Sequence, residues 1–133
     1  MKIAQIGTGG WGKNHARILS ELGVLVAVCD TNFEKSKEYG EKYSVNYYQT
    51  LDEVLESEEF DGAFVVTPTS THTEIAKKLI ESKKHVFVEK PMTYKSEDGE
   101  KLAKLAEKNK VMLMCGYIER FNPAVNVVKK NCA

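Results

Sequence analysis

The chain has 133 residues, of which 42% are hydrophobic and 29% are charged, and its 19 basic residues balance 19 acidic ones. This length suits one domain with a real hydrophobic core. A neutral balance without a basic block or an acidic tail argues against nucleic-acid binding. No apolar run approaches the roughly 20 residues that a membrane-spanning helix needs. We therefore expect a globular protein that binds neither nucleic acid nor membrane.

The cysteines and the first residues indicate a reducing compartment. Cys29, Cys115 and Cys132 are odd in number, and their spacing suits no zinc site. Cys29 and Cys115 end apolar runs, where a free cysteine packs as a small hydrophobe. The opening MKIAQIG enters a strand directly and does not form a signal peptide. We expect a cytoplasmic protein that holds no metal.

Short apolar runs alternate with helical patterns along the chain. The runs are continuously apolar, which is typical of strands that are buried on both faces. They cover residues 2–6, 24–29, 45–48, 62–66, 85–88 and 111–115, of which the third is the weakest. This alternation predicts an α/β fold, a Rossmann-like doubly wound parallel sheet with right-handed crossovers.

Two of the helical stretches carry clear patterns. Residues 71–82 show an apolar stripe opposite lysines, and Thr71 and Glu74 predict a capping box at the start. Residues 96–109 open in a similar way at Ser96. The buried stripes consist of Ile75, Ala76, Leu79 and Ile80 in the first helix, and of Leu102, Leu105 and Ala106 in the second.

A glycine-rich turn follows the first strand, with the pattern Gly7-x-Gly9-x-x-Gly12. Gly7 makes the tight turn, Gly9 lets the backbone approach a pyrophosphate, and Gly12 lets the helix pack close to the strand. The free N–H groups at the helix start favour phosphate. Gly10 and Trp11 complete the loop, and Trp11 either shields the pyrophosphate or packs on the domain. The alternative is a purely structural turn.

An acidic residue ends the second strand. Asp30 lies 18 residues after Gly12, where a carboxylate accepts hydrogen bonds from an adenosine ribose. A 2′-phosphate would be repelled by this carboxylate and would need an arginine, and Thr31, Asn32 and Phe33 provide none. The two features together predict NAD as the cofactor, in preference to NADP. A flavodoxin-like signalling domain is excluded by the glycine loop and by the lack of an acidic cluster at the strand ends.

The ends of the later strands also carry polar and charged residues. TPTSTH (67–72) follows the fourth strand, EKP (89–91) follows the fifth, and GYIERFNP (116–123) follows the sixth. In an open α/β sheet, ligands bind at the carboxyl ends of the strands. These segments are therefore expected at the ligand-binding edge.

At this point the sequence resembles a known family. GTGGWGKNHARIL, VVTPTSTHTEIAKKLIESKKHVFVEKP and GYIERFNPA together are similar to the glucose–fructose oxidoreductase / inositol dehydrogenase (Gfo/Idh/MocA) family. The resemblance spans nearly the whole chain in the right order. Its first segment and RFNPA look most like members that act on nucleotide-linked sugars. It implies the NAD-binding domain of an oxidoreductase that transfers a hydride between a sugar-type hydroxyl and NAD.

The resemblance also implies roles for the matching positions. Lys90 would be catalytic, beside the nicotinamide and in contact with the reacting hydroxyl, and Glu89 would bind the nicotinamide ribose. For Glu89 and Lys90, the alternative is that they form a surface ion pair. For His72, the alternative is that it merely occupies a position at the start of a helix. The remaining implied positions are Thr67, Pro68, Thr69 and nearby His72 along the middle of the cofactor, and Arg120 and Asn122 at the substrate.

A strand that buries its side chains is a rigid support for such a catalytic group. A lysine in a partly desolvated pocket can assist loss of a hydroxyl proton, and Pro91 re-aims the chain so that Lys90 projects from the sheet edge. His15, a turn into the first helix, is expected to have a surface or packing role.

Family members normally carry a second, largely antiparallel domain that binds substrate, forms oligomers and supplies a histidine, whereas no histidine follows His85 here. We therefore assign residues 1–118 to a dinucleotide-binding domain and residues 119–133, with a helix after Pro123, to a segment leading to an absent substrate domain. We expect no turnover from this chain alone, and the bare surface allows a homo-oligomer. Two functions stay open: the NAD domain of a dehydrogenase, which Lys90 favours, and a nucleotide-binding module without catalysis.

Overall fold

The computed structural model of the protein describes residues 1–131, and Cys132 lies outside the described residues. Within this range, six strands form one sheet in the order β3-β2-β1-β4-β5-β6, and every neighbouring pair is parallel. The predicted doubly wound sheet is thus confirmed, with its change of direction between β1 and β4. The strands are β1 Ile3–Ile6, β2 Leu25–Cys29, β3 Asn46–Tyr48, β4 Gly62–Val65, β5 His85–Val88 and β6 Leu113–Cys115.

Helices connect the strands and cover both faces of the sheet. The apolar layer on one face includes Leu79 and Leu102, and the layer on the other face includes Leu19. Both predicted stripes are confirmed, because their members are buried or half-buried. The helices are α1 Gly12–Glu21, α2 Phe33–Tyr43, α3 Leu51–Ser57, α4 Thr69–Glu81, α5 Ser96–Asn109, a 3₁₀ helix Ile118–Phe121 and α6 Pro123–Asn131.

The predicted capping box at Thr71 is wrong. Helix α4 begins two residues earlier, at Thr69, because Pro68 occupies the N-cap position and no side chain caps the helix. The hydroxyl of Thr71 instead donates to the Pro68 carbonyl at 2.8 Å, and its oxygen lies 2.7 Å from the Thr67 hydroxyl, which can donate to it. The loop that ends β4 therefore runs straight into α4, at the edge where ligands bind.

The start of α5 and the capping of α3 also differ from expectation. Helix α5 does begin at Ser96, but Lys95 holds the N-cap position and no side-chain hydrogen bond caps it. A capping box does exist at α3, between Thr50 and Glu53, where the sequence analysis predicted no helix. The short α3 was overlooked because its 7 residues are too few to show a helical period.

The segment after β6 differs from the rest of the described chain. Neither the 3₁₀ helix nor α6 contains a buried residue. Three of its apolar side chains, Phe121, Val127 and Val128, are 70%, 59% and 60% exposed.

Among the described residues, no helix is both long and apolar enough to cross a membrane.

Candidate functional site

A cleft of about 780 Å³ opens at the carboxyl edge of the sheet, where the strand order changes direction. This volume is within the range of small-molecule sites. Most of the predicted site residues line it, whereas Gly12, Arg120 and Asn122 do not. The predicted residues in its lining are Gly7, Gly9, Gly10, Trp11, Asp30, Thr67, Pro68, Thr69, His72, Glu89 and Lys90.

The three glycines of the loop have different structural roles. Gly7 has a φ of +97°, and a Cβ there would lie 2.5 Å from the Val66 carbonyl oxygen. A Cβ at Gly12 would overlap the Gly7 carbonyl. In contrast, a Cβ at Gly9 would meet no atom within 4 Å. The fold itself therefore requires glycine at the first and third positions, and the open space over Gly9 fits a group that needs close approach to the backbone, such as a pyrophosphate.

Gln5 supports this loop from below, and the sequence analysis missed it. The side chain is fully buried in β1, and its Nε2 donates to the carbonyls of Gly7 at 2.9 Å and Gly12 at 2.7 Å. A carbonyl of the loop and one at the start of α1 are thereby satisfied by a buried donor. The signal that would have found it is the single polar residue within the apolar run KIAQI.

Asp30 is held in place by the loop that precedes α1. Its Oδ2 accepts from the Thr8 backbone N–H at 2.9 Å and from the Thr8 hydroxyl at 2.8 Å, and its Oδ1 accepts from the Asn32 N–H at 2.9 Å. A carboxylate offers about four lone-pair sites, so acceptor capacity remains for a ribose hydroxyl.

The electrostatics keep this carboxyl ionised. Burial of Asp30 opposes ionisation, but the hydrogen bonds from Thr8 and Asn32 outweigh it. The positive charge of Lys35 acts in the same direction, and the pKa of Asp30 lies below its ordinary value of 3.8. The fixed negative charge is the element that would repel a 2′-phosphate.

Lys35 is a charged residue of the cleft that was not considered in the sequence analysis. It is an exposed residue of α2, and it lines the cleft together with Asp30. The sequence argument stopped at Phe33, whereas the first turn of α2 brings this later residue back toward the cleft. The cleft lining therefore contains an ammonium group as well as the Asp30 carboxylate, and the two have opposite charges.

Glu89 and Lys90 do not form the surface ion pair that was considered as an alternative. Glu89 is only 9% exposed, and its Oε1 lies 2.9 Å from His15 Nε2. Its Oε2 accepts from the backbone N–H of Lys90 at 2.8 Å. The Lys90 residue is exposed and lines the cleft, and the Lys90–Pro91 peptide bond is cis.

His72 is 1% exposed and is not merely a helix-start residue. Its Nδ1 lies 2.9 Å from the Pro91 carbonyl oxygen, and its Nε2 lies 2.8 Å from the Thr67 carbonyl oxygen. A carbonyl only accepts, so a neutral ring can donate to one of the two at a time. The side chain links the segment after β5 to the end of β4.

Trp11, Arg120 and Asn122 complete the predicted positions. Trp11 is 58% exposed at the cleft, which fits the predicted shielding role better than packing on the domain. Asn122 is occupied locally: its Nδ2 donates to Glu119 at 2.7 Å and its Oδ1 accepts from the Ala124 N–H at 2.9 Å. Arg120 is exposed in the 3₁₀ helix. The structure therefore does not bring these last two to the cleft.

The cleft contains no activated thiol. Burial, followed by the negative charges of Asp30 and Glu53, raises the pKa of Cys29 to about 12, so its thiol stays protonated. Residues 1–131 bring no three histidine, cysteine or acidic side chains together as a metal site.

An all-parallel sheet in this strand order, with a glycine loop after β1 and an acid after β2, defines a dinucleotide-binding Rossmann domain. More specifically, the chain belongs to the GFO_IDH_MocA oxidoreductase family, NAD-binding Rossmann fold, whose family model matches residues 1–117. NAD is the cofactor of this family by that description.

Among similar proteins, UDP-N-acetylglucosamine 3-dehydrogenase of Acidithiobacillus ferrooxidans is 30% identical over 98% of this chain and 41% of its own length. Its solved structure has a TM-score of 0.90 over 98% of this chain and 41% of that one. Myo-inositol 2-dehydrogenase of Thermotoga maritima is 32% identical over 92% of this chain and 37% of its own length. The WlbA dehydrogenase of Bordetella pertussis, solved with NADH and UDP-GlcNAcA, is 28% identical with a TM-score of 0.90, over 97% of this chain and 40% of that one. The chain thus spans about two fifths of the length of these relatives.

Proposed function

We propose that this chain is the cofactor-binding part of a dehydrogenase that transfers a hydride between a sugar-type hydroxyl and NAD. The observation that carries the proposal is the position of Lys90, an exposed residue in the lining of the same cleft as the glycine loop and Asp30. Dinucleotide binding explains the glycine loop and Asp30, but it does not require a lysine at this position. A binding module without catalysis has no use for that residue, and the similar proteins, which are named as dehydrogenases, give this alternative no support.

The chain's residues would divide the cofactor among them. The loop around Gly9 and the N-terminus of α1 would take the pyrophosphate, and Asp30 would accept hydrogen bonds from the adenosine ribose. Thr67, Pro68 and Thr69, with His72 behind them, would form the wall along the middle of the cofactor. Trp11 would cover the phosphates.

At the reacting end, Glu89 and Lys90 have separate roles. Two acceptor sites of the Glu89 carboxylate are used inside the protein, and the remaining ones are available to the nicotinamide ribose. Bound NAD would supply the hydride acceptor. The Lys90 amine would contact the reacting hydroxyl and assist the loss of its proton.

The finer substrate proposal is a nucleotide-linked sugar. The RFNPA segment and two of the similar proteins support it. One of these proteins is named as a UDP-N-acetylglucosamine dehydrogenase, and the other was solved in complex with UDP-GlcNAcA. We propose that residues 119–133 lead to a further domain that provides most substrate contacts and the surface for a homo-oligomer. Arg120, being exposed, is a better candidate for substrate than Asn122.

Free cysteines at the sheet fit our proposal of a cytoplasmic protein.

Two experiments test the proposal, one on the 133-residue chain and one on the full-length gene product. Energy transfer from Trp11, the chain's single tryptophan, to NADH would measure cofactor binding in the 133-residue chain. Turnover of the full-length gene product with NAD and a panel of UDP-sugars, free sugars and inositols would measure the chemistry. We expect binding in the first experiment and NAD reduction with at least one sugar in the second. Binding without any turnover would favour the module without catalysis.

A further inference from the structure

His15 is an oriented hydrogen-bond donor near the end of β5. Its side chain is 16% exposed, and its Nε2 lies 2.9 Å from Glu89 Oε1. The ring is 5.6 Å, centroid to centroid, from each of Phe64 and Phe87, which are themselves stacked at 4.3 Å. Tilted and edge contacts of this kind favour one ring orientation. Helix α1 thus presents an imidazole whose direction is set by the sheet.

Glu89 transmits this orientation to the next residue. Its second oxygen accepts from the Lys90 backbone N–H at 2.8 Å, and its own N–H donates to the Val65 carbonyl at 2.9 Å. A Cβ at Gly116 would lie 3.1 Å from the carboxyl carbon, so the chain after β6 closes over the group. With one oxygen bonded to His15, the carboxylate cannot turn without losing a charge-assisted hydrogen bond.

We propose that His15 is a positioning residue that acts through Glu89 to fix the backbone of Lys90, and so the point from which the lysine side chain enters the cleft. The inference rests on the proposed function in treating Lys90 as the catalytic group. Helix α1 follows the glycine loop directly, so one rigid element holds the phosphate-binding end of the cleft and the base of the lysine at a set separation.

Amide hydrogen exchange of the ¹⁵N-labelled chain tests this inference. His15→Phe keeps an aromatic ring between Phe64 and Phe87 but removes the donor. We expect exchange at the Lys90 amide to become about tenfold faster, the change expected for losing a hydrogen bond to a charged group. The amide of Val86, a residue of β5, donates to the Met112 carbonyl and should keep its rate.

The conservative variant His15→Gln supplies an amide donor and should restore most of the protection at Lys90. An equal increase in exchange at Lys90 and Val86 would overturn the inference, because His15 would then only stabilise the fold. An unchanged Lys90 rate in a folded Phe variant would also overturn it. Glu89→Gln, which weakens the same link, provides a second route if the Phe variant does not fold, with the same expected result.

NADH binding to the same samples separates this inference from the proposed function. If the unmodified chain does not bind NADH, the proposed function fails, whereas the Lys90 exchange rates still decide the role of His15. If NADH binds and the exchange rate of the Lys90 amide does not change in His15→Phe, the inference fails and the proposed function stands. In the full-length gene product, His15→Phe should lower kcat more than it raises the KM for NAD, and Gln should recover kcat.

Discussion

Thr8 holds Asp30 through both of its donors, because the backbone N–H and the hydroxyl both bond to Oδ2, at 2.9 and 2.8 Å. A residue of the loop that follows β1 thereby orients the acid just after β2. The two features that were recognised separately in the sequence, the loop and the carboxylate, are parts of one hydrogen-bonded unit. Any change to Asp30 is therefore expected to affect the folded state as well as the proposed ribose contact.

The first prediction concerns stability and pH. The pKa of Asp30 is lower in the folded chain than its ordinary value, so its ionised form stabilises the fold above pH 3.8, and this contribution is lost as the pH falls through the folded pKa. Asp30→Asn should therefore lower the free energy of unfolding at pH 7. The difference from the unmodified chain should shrink in acid, as measured by urea unfolding at pH 7 and at pH 3. Glu38→Gln, a change at an exposed carboxyl of α2, is the control. A difference that is the same at both pH values would contradict the prediction.

The second prediction concerns cofactor choice. The chain should bind NADH more tightly than NADPH, because the Asp30 carboxylate repels a 2′-phosphate. Asp30→Ala should narrow this gap by about tenfold or more, since Lys35 then remains as an unopposed cation at the cleft. Calorimetry with both nucleotides provides the measurement.

The double variant Asp30→Ala, Lys35→Ala serves as the matched comparison. It should lose the gain in NADPH affinity that the single variant shows. Equal affinity of the unmodified chain for both nucleotides would rule out the role given to Asp30. Identical NADPH binding by the single and double variants would rule out the role given to Lys35.

The third prediction distinguishes the role of Gly9 in cofactor binding from the role of Gly12 in folding. Gly9→Val should abolish NADH binding without unfolding the chain, because the added side chain meets open space in the protein and occupies the cradle for the pyrophosphate. Gly12→Val should unfold or strongly destabilise the chain, because its Cβ would overlap the Gly7 carbonyl. Circular dichroism and the Trp11 signal report the two effects. Retained NADH affinity in a folded Gly9→Val chain would mean that the loop is only structural.

The fourth prediction concerns Lys90. In the full-length gene product, Lys90→Ala should lower kcat by about 10²–10⁴-fold, the contribution typical of a general acid–base group. The affinity of the 133-residue chain for NADH should change little, because the amine is assigned to the reacting hydroxyl. Steady-state kinetics and NADH titration measure the two effects. A near-normal kcat in the variant would remove Lys90 from the chemistry.

The fifth prediction concerns His72. His72→Phe removes the ring N–H that donates to the carbonyl of Thr67 or Pro91, and an unsatisfied buried group costs about 1–3 kcal/mol. We expect urea unfolding to show a loss of that order. Thr71→Val, at an exposed position of the same helix turn, should cost less. If the two variants were equally stable, His72 would not hold the strand ends together.

The sequence by itself determined the architecture and most of the cleft lining. Continuous apolar runs are typical of strands covered on both faces, and their alternation with helical patterns predicted the parallel sheet. Gly7, Gly9 and Asp30 were found because their spacing reflects local geometry, a turn and the end of a strand. The position of Lys90 at a strand end was also found in this way, and the family resemblance added its catalytic role.

The tertiary structure alone decided which polar groups meet. His15 and Glu89 are 74 positions apart in the chain, and Thr8 and Asp30 are 22 apart. No local period encodes such contacts, because they arise only when α1 packs on the sheet and neighbouring strand ends align. For the same reason Lys35 was overlooked, and Glu89 was expected to face the cofactor although half of its acceptor capacity is used inside the protein.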